Sequence, residues 1–245
     1  MKNSLNKSQI ERFSRQLILK NIGAKGQKKI LSSKILIVGI GGLGCPAAES
    51  LVRAGVGTIG LIDDDIVNLS NIHRQSLFNS KDIKKLKVNV AATKLREINP
   101  LTKIKTYNLR LNKNNIQNII KNYEIIIDGS DNFKTKFLIN DYSIKYKKKL
   151  ITGAISKFDG HIFTFDFKDR KTASLKSFYQ EKEISDDILN CEFEGVIGTT
   201  ASIVGATQAN EALKMILDIG QNLKNQILII DLLNLNFRKV QFKKK

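Results

Sequence analysis

Apolar residues along this chain recur with two alternating periods. Ile35–Val38 is a short β-branched run of the kind that forms a buried strand, and Leu43–Ala54 follows at helical spacing. Thr58–Ile62 is a second apolar run. Leu86–Ile98 places Val88, Ala91, Ala92, Leu95 and Ile98 on one helical side, with Pro100 just past its end. Lys103–Tyr107 predicts a third strand, residues 112–122 a short helix, and Ile125–Ile127 a buried strand that runs into a polar loop. Residues 132–149 read as a helix and residues 150–155 as the next strand. Alternation of this kind predicts an α/β fold, Rossmann-like, with a mostly parallel sheet and helices on both faces.

The rhythm changes near residue 157. Residues 160–167 alternate as an antiparallel strand does, and residues 168–190 are polar and irregular, which suggests a mobile crossover loop. Residues 199–220 form a helical pattern closed by Gly220, and residues 226–242 read as two final strands. The expected organisation is a single domain over residues 1–245. Its nucleotide-binding core spans 8–157, and an antiparallel C-terminal extension spans 158–245. At the other end, Ser8-Gln9-Ile10-Glu11 fits a capping box. Ile10, Phe13 and Leu17 then share one helix face, Arg12 and Arg15 lie off it, and Gly23 and Gly26 close the helix.

The chemistry starts at the first strand–helix turn. Gly39-Ile40-Gly41-Gly42-Leu43-Gly44 fits G-x-G-x-x-G, in which glycines let backbone approach a phosphate at a helix N-terminus. Asp63, 19 residues after Gly44, stands where a carboxylate grips ribose hydroxyls. An NAD-type dinucleotide fits those features. The next stretch does not continue as a dinucleotide fold would, because residues 63–87 are polar and carry Asn71, Arg74, Gln75 and Lys87. Arginine and lysine there suit a longer phosphate chain. Lys87 sits in the first turn of a helix, where the dipole disfavours a cation, which points to a ligand. After the strand 125–127, Asp128 and Asp131 both stand where a Mg²⁺ ligand beside a triphosphate would be, and either also suits loop capping.

Composition narrows the partners. The chain has 245 residues, with 41 Lys+Arg against 23 Asp+Glu, a net charge of +18. The basic residues are mostly lysines spread along the whole chain, and no helix-turn-helix, zinc-finger or RNA-binding motif accompanies them. The charge therefore does not by itself point to nucleic acid. No apolar run has signal-peptide or membrane-spanning length, and the two cysteines, Cys45 and Cys191, make no disulfide framework. A cytoplasmic protein without a membrane partner is expected.

Taken in order, "RFSRQLIL", "GIGGLGCP", "AGVGTIGLIDDDIVNLSNIHRQ", "KV", "DGSDN" and "CEFEGVIG" resemble the bacterial adenylyltransferases of sulfur-carrier proteins, relatives of ubiquitin-activating enzymes. The resemblance runs from about Glu11 to the end of the chain. It implies ATP in the glycine turn and adenylylation of the C-terminal Gly-Gly carboxylate of a small ubiquitin-like carrier, in the thiamine or molybdopterin pathway, with release of pyrophosphate. By residue, it implies Gly41 against the phosphates and Asp63 on the ribose. Ser70, Asn71, Arg74 and Lys87 would surround the triphosphate, with Asp131 on Mg²⁺ and Asn132 beside the nucleotide. Arg15 would reach into the partner's site of a homodimer. Cys191 matches a family cysteine that bonds the carrier or relays sulfur from a donor protein, and a bystander role stays open. Cys45 is read as packing, and His73 is assigned no role. His161 is read as a strand-surface residue.

One departure stands out. Many relatives hold a structural zinc with two Cys-x-x-Cys pairs, and here Ser174 to Ser177 stands about where the first would fall, so zinc is expected to be absent. Three other readings stay open: a tRNA-modifying branch of the same superfamily, an NAD(P)-dependent oxidoreductase, and a non-catalytic scaffold.

Overall fold

A computed structural model describes residues 4–179 and 195–242. Its frame is one eight-stranded sheet in the order β3-β2-β1-β4-β5-β6-β7-β8. The strands are β1 (Lys34–Val38), β2 (Thr58–Ile62), β3 (Lys103–Tyr107), β4 (Ile125–Asp128), β5 (Lys149–Ser156), β6 (Asp159–Asp166), β7 (Gln226–Asp231) and β8 (Asn236–Gln241). The first five are parallel, and β5 through β8 pair antiparallel. The switch follows from the connections. A helix returns the chain between each parallel pair, whereas only Lys157 and Phe158 link β5 to β6, a link too short for anything but a hairpin.

Burial on both faces explains the near-continuous apolar runs of β1 and β4. Ile35, Ile37, Ile125 and Ile127 join a core under α4 (Gly44–Ala54), α5 (Lys87–Ile98) and α9 (Gly198–Leu217). Leu36, Val38 and Ile126 face the other way, into a core with α6 (Ile116–Ile120), α7 (Phe133–Lys145) and α8 (Leu175–Phe178). α9 packs closely on the glycine turn, because a Cβ on Gly205 would lie 2.4 Å from the Leu43 carbonyl oxygen. In contrast, all six residues of β8 are exposed, so this strand ends the sheet with neither face covered.

Three N-terminal expectations are corrected. The capping box lies two residues upstream: Asn6 accepts from the Gln9 N–H (2.9 Å) and its own N–H donates to the Gln9 side chain (3.0 Å). Asparagine caps as well as serine does, and the glutamine three residues on completes the box. The helical stretch divides into α1 (Lys7–Arg12) and α2 (Ser14–Leu17) at Phe13, whose ring is buried against the site of Gly55. Gly23 does not stop the helical region. Its φ of +53° turns the chain into a further helix, α3 (Gly23–Ser32). Arg12, off the apolar stripe as expected, is exposed and donates to the Ile98 carbonyl at the end of α5 (3.0 Å).

Near the C-terminus, α9 ends at Asp218 rather than Gly220. Asp218 takes the left-handed conformation (φ +59°), which a short polar side chain tolerates. Within the expected mobile stretch 168–190, the part up to 179 is packed, with Thr172, Ala173 and Leu175 buried; residues 180–190 lie outside the described residues. Among the described residues no helix is long and apolar enough to cross a membrane.

The Gly205 contact gives a stability test. Gly205→Val is expected to lower unfolding free energy by about 1–3 kcal/mol through overpacking, measured by urea unfolding. An unchanged midpoint would show that α9 does not press on the turn.

Candidate active site

The parallel strands end in a cleft of about 530 Å³. It opens where the chain leaves β1 in one direction and β4 in the other, the position at which open α/β sheets bind ligands. Its floor is the glycine turn. Gly39 has a φ of +86°, and a Cβ on Gly44 would lie 1.9 Å from the Gly39 carbonyl oxygen, so neither position admits a side chain. Only the Gln75 side chain comes near the open face of Gly41, at 3.6 Å from where a Cβ would be. α4 starts here with no side-chain cap and no acidic residue in its first turn. The Cys45 and Ala47 N–H groups bond the Gly41 and Leu43 carbonyls and Pro46 has none, so what this helix start offers an entering anion is its dipole and the Gly44 N–H.

Asp63 closes one side. Its carboxylate accepts from the Ile40 N–H (2.7 Å) and the Asp65 N–H (2.9 Å), which fixes the glycine turn to the end of β2. Burial raises its pKa above the usual carboxylate range, against the charge of Lys87 and these two donors. Lys87, the first residue of α5, is buried and donates to Asp65 Oδ2 at 2.8 Å, while its backbone N–H bonds the Asp65 carbonyl. The ammonium that seemed misplaced at a helix start is thus held by a carboxylate and still lines the cleft. Asp63, Asp64 and Asp65 bring oxygens within 4.8 Å of one another. The Lys87 ammonium already sits on Asp65 and lies near Asp63, and its charge disfavours a cation there.

Arg74 lies over Gly42 and lines the cleft. Its Nη1 donates to the Ser70 carbonyl (2.9 Å) and meets His73 Nε2 at 2.8 Å. A guanidinium has no acceptor, so His73 Nε2 must accept, which puts any single ring proton on Nδ1. His73 thereby orients Arg74, a part the sequence did not suggest. Ser70 and Asn71 stand in the one-turn 3₁₀ segment Leu69–Asn71 behind Arg74 and are not among the residues that line the cleft. The Asn71 carbonyl accepts from the N–H groups of Arg74 and Gln75. Buried Gln75 lines the cleft, and its Oε1 has no partner among the described residues.

The two candidate magnesium ligands separate cleanly. Asp128 is fully buried. Oδ1 accepts from the Ser130 N–H (2.9 Å) and hydroxyl (2.6 Å), and Oδ2 accepts from Lys136 (3.2 Å) and the Thr152 hydroxyl. All its lone pairs are engaged, which removes it as a competitor. Asp131 is exposed at the cleft and, among the described residues, takes one hydrogen bond, from Asn132 Nδ2 at 3.2 Å. Asn132 itself caps α7 through the Thr135 N–H (2.9 Å).

Other positions fall elsewhere. Arg15 is exposed on α2 and does not line this cleft. Cys191 lies outside the described residues. Cys45 is wholly buried, and burial pushes its thiol up to about 12, consistent with packing. Ser174 and Ser177 cap α8. His161 corrects the surface reading. It is half-buried and lines the cleft with Asp159, Phe178 and Tyr179. Burial lowers its pKa, opposed by Asp159. The alternating pattern of β6 could not say which of its faces the cleft would claim.

The chain matches the model of the ThiF family over residues 13–245 and belongs to that family. It is 38% identical over 236 residues to a protein of Gracilaria tenuistipitata var. liui named "Probable molybdopterin-synthase adenylyltransferase", covering 96% of this chain and 66% of that one. It is 35% identical over 237 residues to a "Sulfur carrier protein adenylyltransferase" of Thermus thermophilus, covering 96% of this chain and 88% of that one. A crystal structure of E. coli MccB with MccA-N7isoAsn superposes with a TM-score of 0.83 at 22% identity, over 98% of this chain and 74% of that one. That last likeness is one of fold.

Two measurements check the site. Asp128→Ala leaves the Lys136 ammonium buried without its carboxylate and is expected to cost about 3–5 kcal/mol of stability, against less than about 0.5 kcal/mol for Asp131→Ala. Equal urea midpoints for the two variants would refute the assignment. In a proton NMR titration, with His161→Gln for assignment, His161 should titrate below 6.5. Its folded form binds fewer protons than the unfolded chain, so its contribution to stability falls as pH drops below 6.5.

Proposed function

We propose that this ThiF-family chain is an ATP-dependent adenylyltransferase acting on the C-terminal glycine carboxylate of a small ubiquitin-like sulfur-carrier protein. The observation that carries the reading is the meeting, in one cleft, of the glycine turn with the cations Arg74 and Lys87 and with Asp131, an exposed carboxylate that takes a single hydrogen bond among the described residues. The names of the two sequence relatives support the same reaction class.

In this reading the triphosphate lies on the α4 N-terminus, with Gly41 leaving room for it, and Asp63 receives the ribose hydroxyls. The carrier's terminal carboxylate attacks the α-phosphorus. A C–O–P anhydride forms, the bond from the α-phosphorus to the bridging oxygen breaks, and pyrophosphate leaves with that electron pair. No general base is required, because the nucleophile is already ionised. The barrier is the approach of two anions, and fixed positive charge lowers it without reorganising. Arg74, held by Ser70 and His73, and Lys87, held by Asp65, are fixed in this way. Asn132 stands beside the nucleotide.

Asp131 fits a magnesium ligand because its oxygens are exposed and nearly unengaged. The ion would neutralise phosphate charge. Arg15, exposed and not part of the lining of its own cleft, fits a residue supplied to the partner's cleft in a homodimer. The antiparallel part, residues 158–245, would seat the carrier, and Cys191 would serve the later transfer of sulfur from a donor protein. The thiamine and molybdopterin carriers are both accommodated by this chemistry, which would take place in the cytoplasm.

The test is ATP–pyrophosphate exchange with each carrier in a separate tube. Arg74→Ala and Asp131→Ala should each lower exchange at least about 100-fold, while Cys191→Ser leaves it unchanged. Full exchange in both alanine variants would place the reaction elsewhere. ATP binding with no exchange on either carrier would favour a different acceptor, such as tRNA.

A further inference from the structure

The other end of the same strands carries a second hollow, of about 490 Å³. Parallel pairing builds it. The register sets Lys34 beside Thr58 and Thr58 beside Lys103. On the other side, the Glu124 N–H bonds the Lys34 carbonyl, and the Lys149 N–H bonds the Glu124 carbonyl, which brings Lys148 into the same row. Lys105 follows Lys103 on the same face of β3, and Lys121 closes the rim. Strands lie ~4.8 Å apart, so Lys34 and Lys103 start roughly 10 Å apart across Thr58, within reach of one ligand.

The hollow is electrostatically one-sided. Five lysines meet a single carboxylate, Glu124, and among the described residues none of the five makes an ion pair within 4.0 Å. Lys148 donates to the Lys121 carbonyl at 3.0 Å, and Lys121 reaches only Asn118 Oδ1 at 3.5 Å. Burial lowers the pKa of Lys148, and the charge of Lys168 adds to that against Glu124. The chemistry also limits what fits. The floor is Tyr123, 1% exposed, with its hydroxyl bonded to Tyr107 at 3.0 Å, so no aromatic face is available for a base to stack on. Lysines are flexible point charges suited to phosphate oxygens.

We propose that this hollow is a second anion site, distinct from the nucleotide cleft and taking a linear oligophosphate through its phosphate groups alone. The two sites lie at opposite ends of the same short strands, roughly 15 Å apart. The inference does not depend on the proposed adenylylation.

The experiment is titration of the full-length protein with inorganic tripolyphosphate, followed by calorimetry and by amide shifts in a ¹H–¹⁵N spectrum. The wild type should show two binding processes, one of which moves the amides of Thr58 and Asn122. K34S/K103S/K148S should weaken that process at least tenfold, while pyrophosphate exchange stays within twofold. Arg74→Ala should remove only the other process. If the triple variant fails to fold, K103Q/K105Q on the exposed edge strand should weaken the same process about threefold or more. A single process abolished by Arg74→Ala would overturn the proposal. So would Thr58 and Asn122 shifts that follow a poly-glutamate peptide but not tripolyphosphate, which would reassign the hollow to acidic protein.

Discussion

The buried carboxylate of Asp128 holds four parts of the molecule in one arrangement. It stands at the end of β4 and takes hydrogen bonds from Ser130 in the following loop, Lys136 on α7 and Thr152 on β5. Lys136 goes on to the Gly153 carbonyl (2.7 Å), and Gln208 of α9 donates to the Asp128 carbonyl (2.9 Å). A charge in that place is tolerable only because every lone pair is used. The benefit is positional, since the same bonds set the direction in which the 129–132 loop leaves the sheet. Asp131, three residues on, is thereby presented to the cleft with its oxygens open.

A similar division recurs on the other wall. Asp65 neutralises and aims Lys87, Ser70 and His73 aim Arg74, and Asp63 ties the glycine turn to β2. Ser70 and His73, which do not line the cleft, restrict Arg74, which does, while Asp63 and Asp65 line it themselves. That restriction is why fixed charges can act without reorganising. It also explains why Ser70 and Asn71 share a motif with Arg74 while standing behind it.

Much of this was legible in the chain. The strands 58–62 and 103–107, the helix 87–98 and the glycine turn follow from periodicity and glycine spacing, because burial on both faces leaves little choice of residue. The family motifs located the cleft. What stayed hidden were choices that depend on three-dimensional neighbours. Asp128 and Asp131 are equivalent in sequence, and only the arrival of Lys136 and Thr152 separates them. The helix 23–32 was obscured because Gly23 reads as a stop signal, whereas its left-handed turn here begins a helix. His161 reads as a surface residue because alternation gives two faces without saying which one the cleft uses.

The uncovered last strand has its own consequence. Among the described residues, β8 offers an unpaired row of backbone donors and acceptors, with Phe237 and Val240 exposed beside it. Such an edge is a template for a second strand. If two copies of β8 met antiparallel about their centres, Arg238 of one would stand opposite Lys239 of the other, and directly opposed like charges disfavour that pairing. The edge thus weights its partners by sign: the opposed Arg238 and Lys239 count against a second copy, although the same register sets Phe237 opposite Val240, and an extended segment with acidic residues at the matching positions would meet no such penalty.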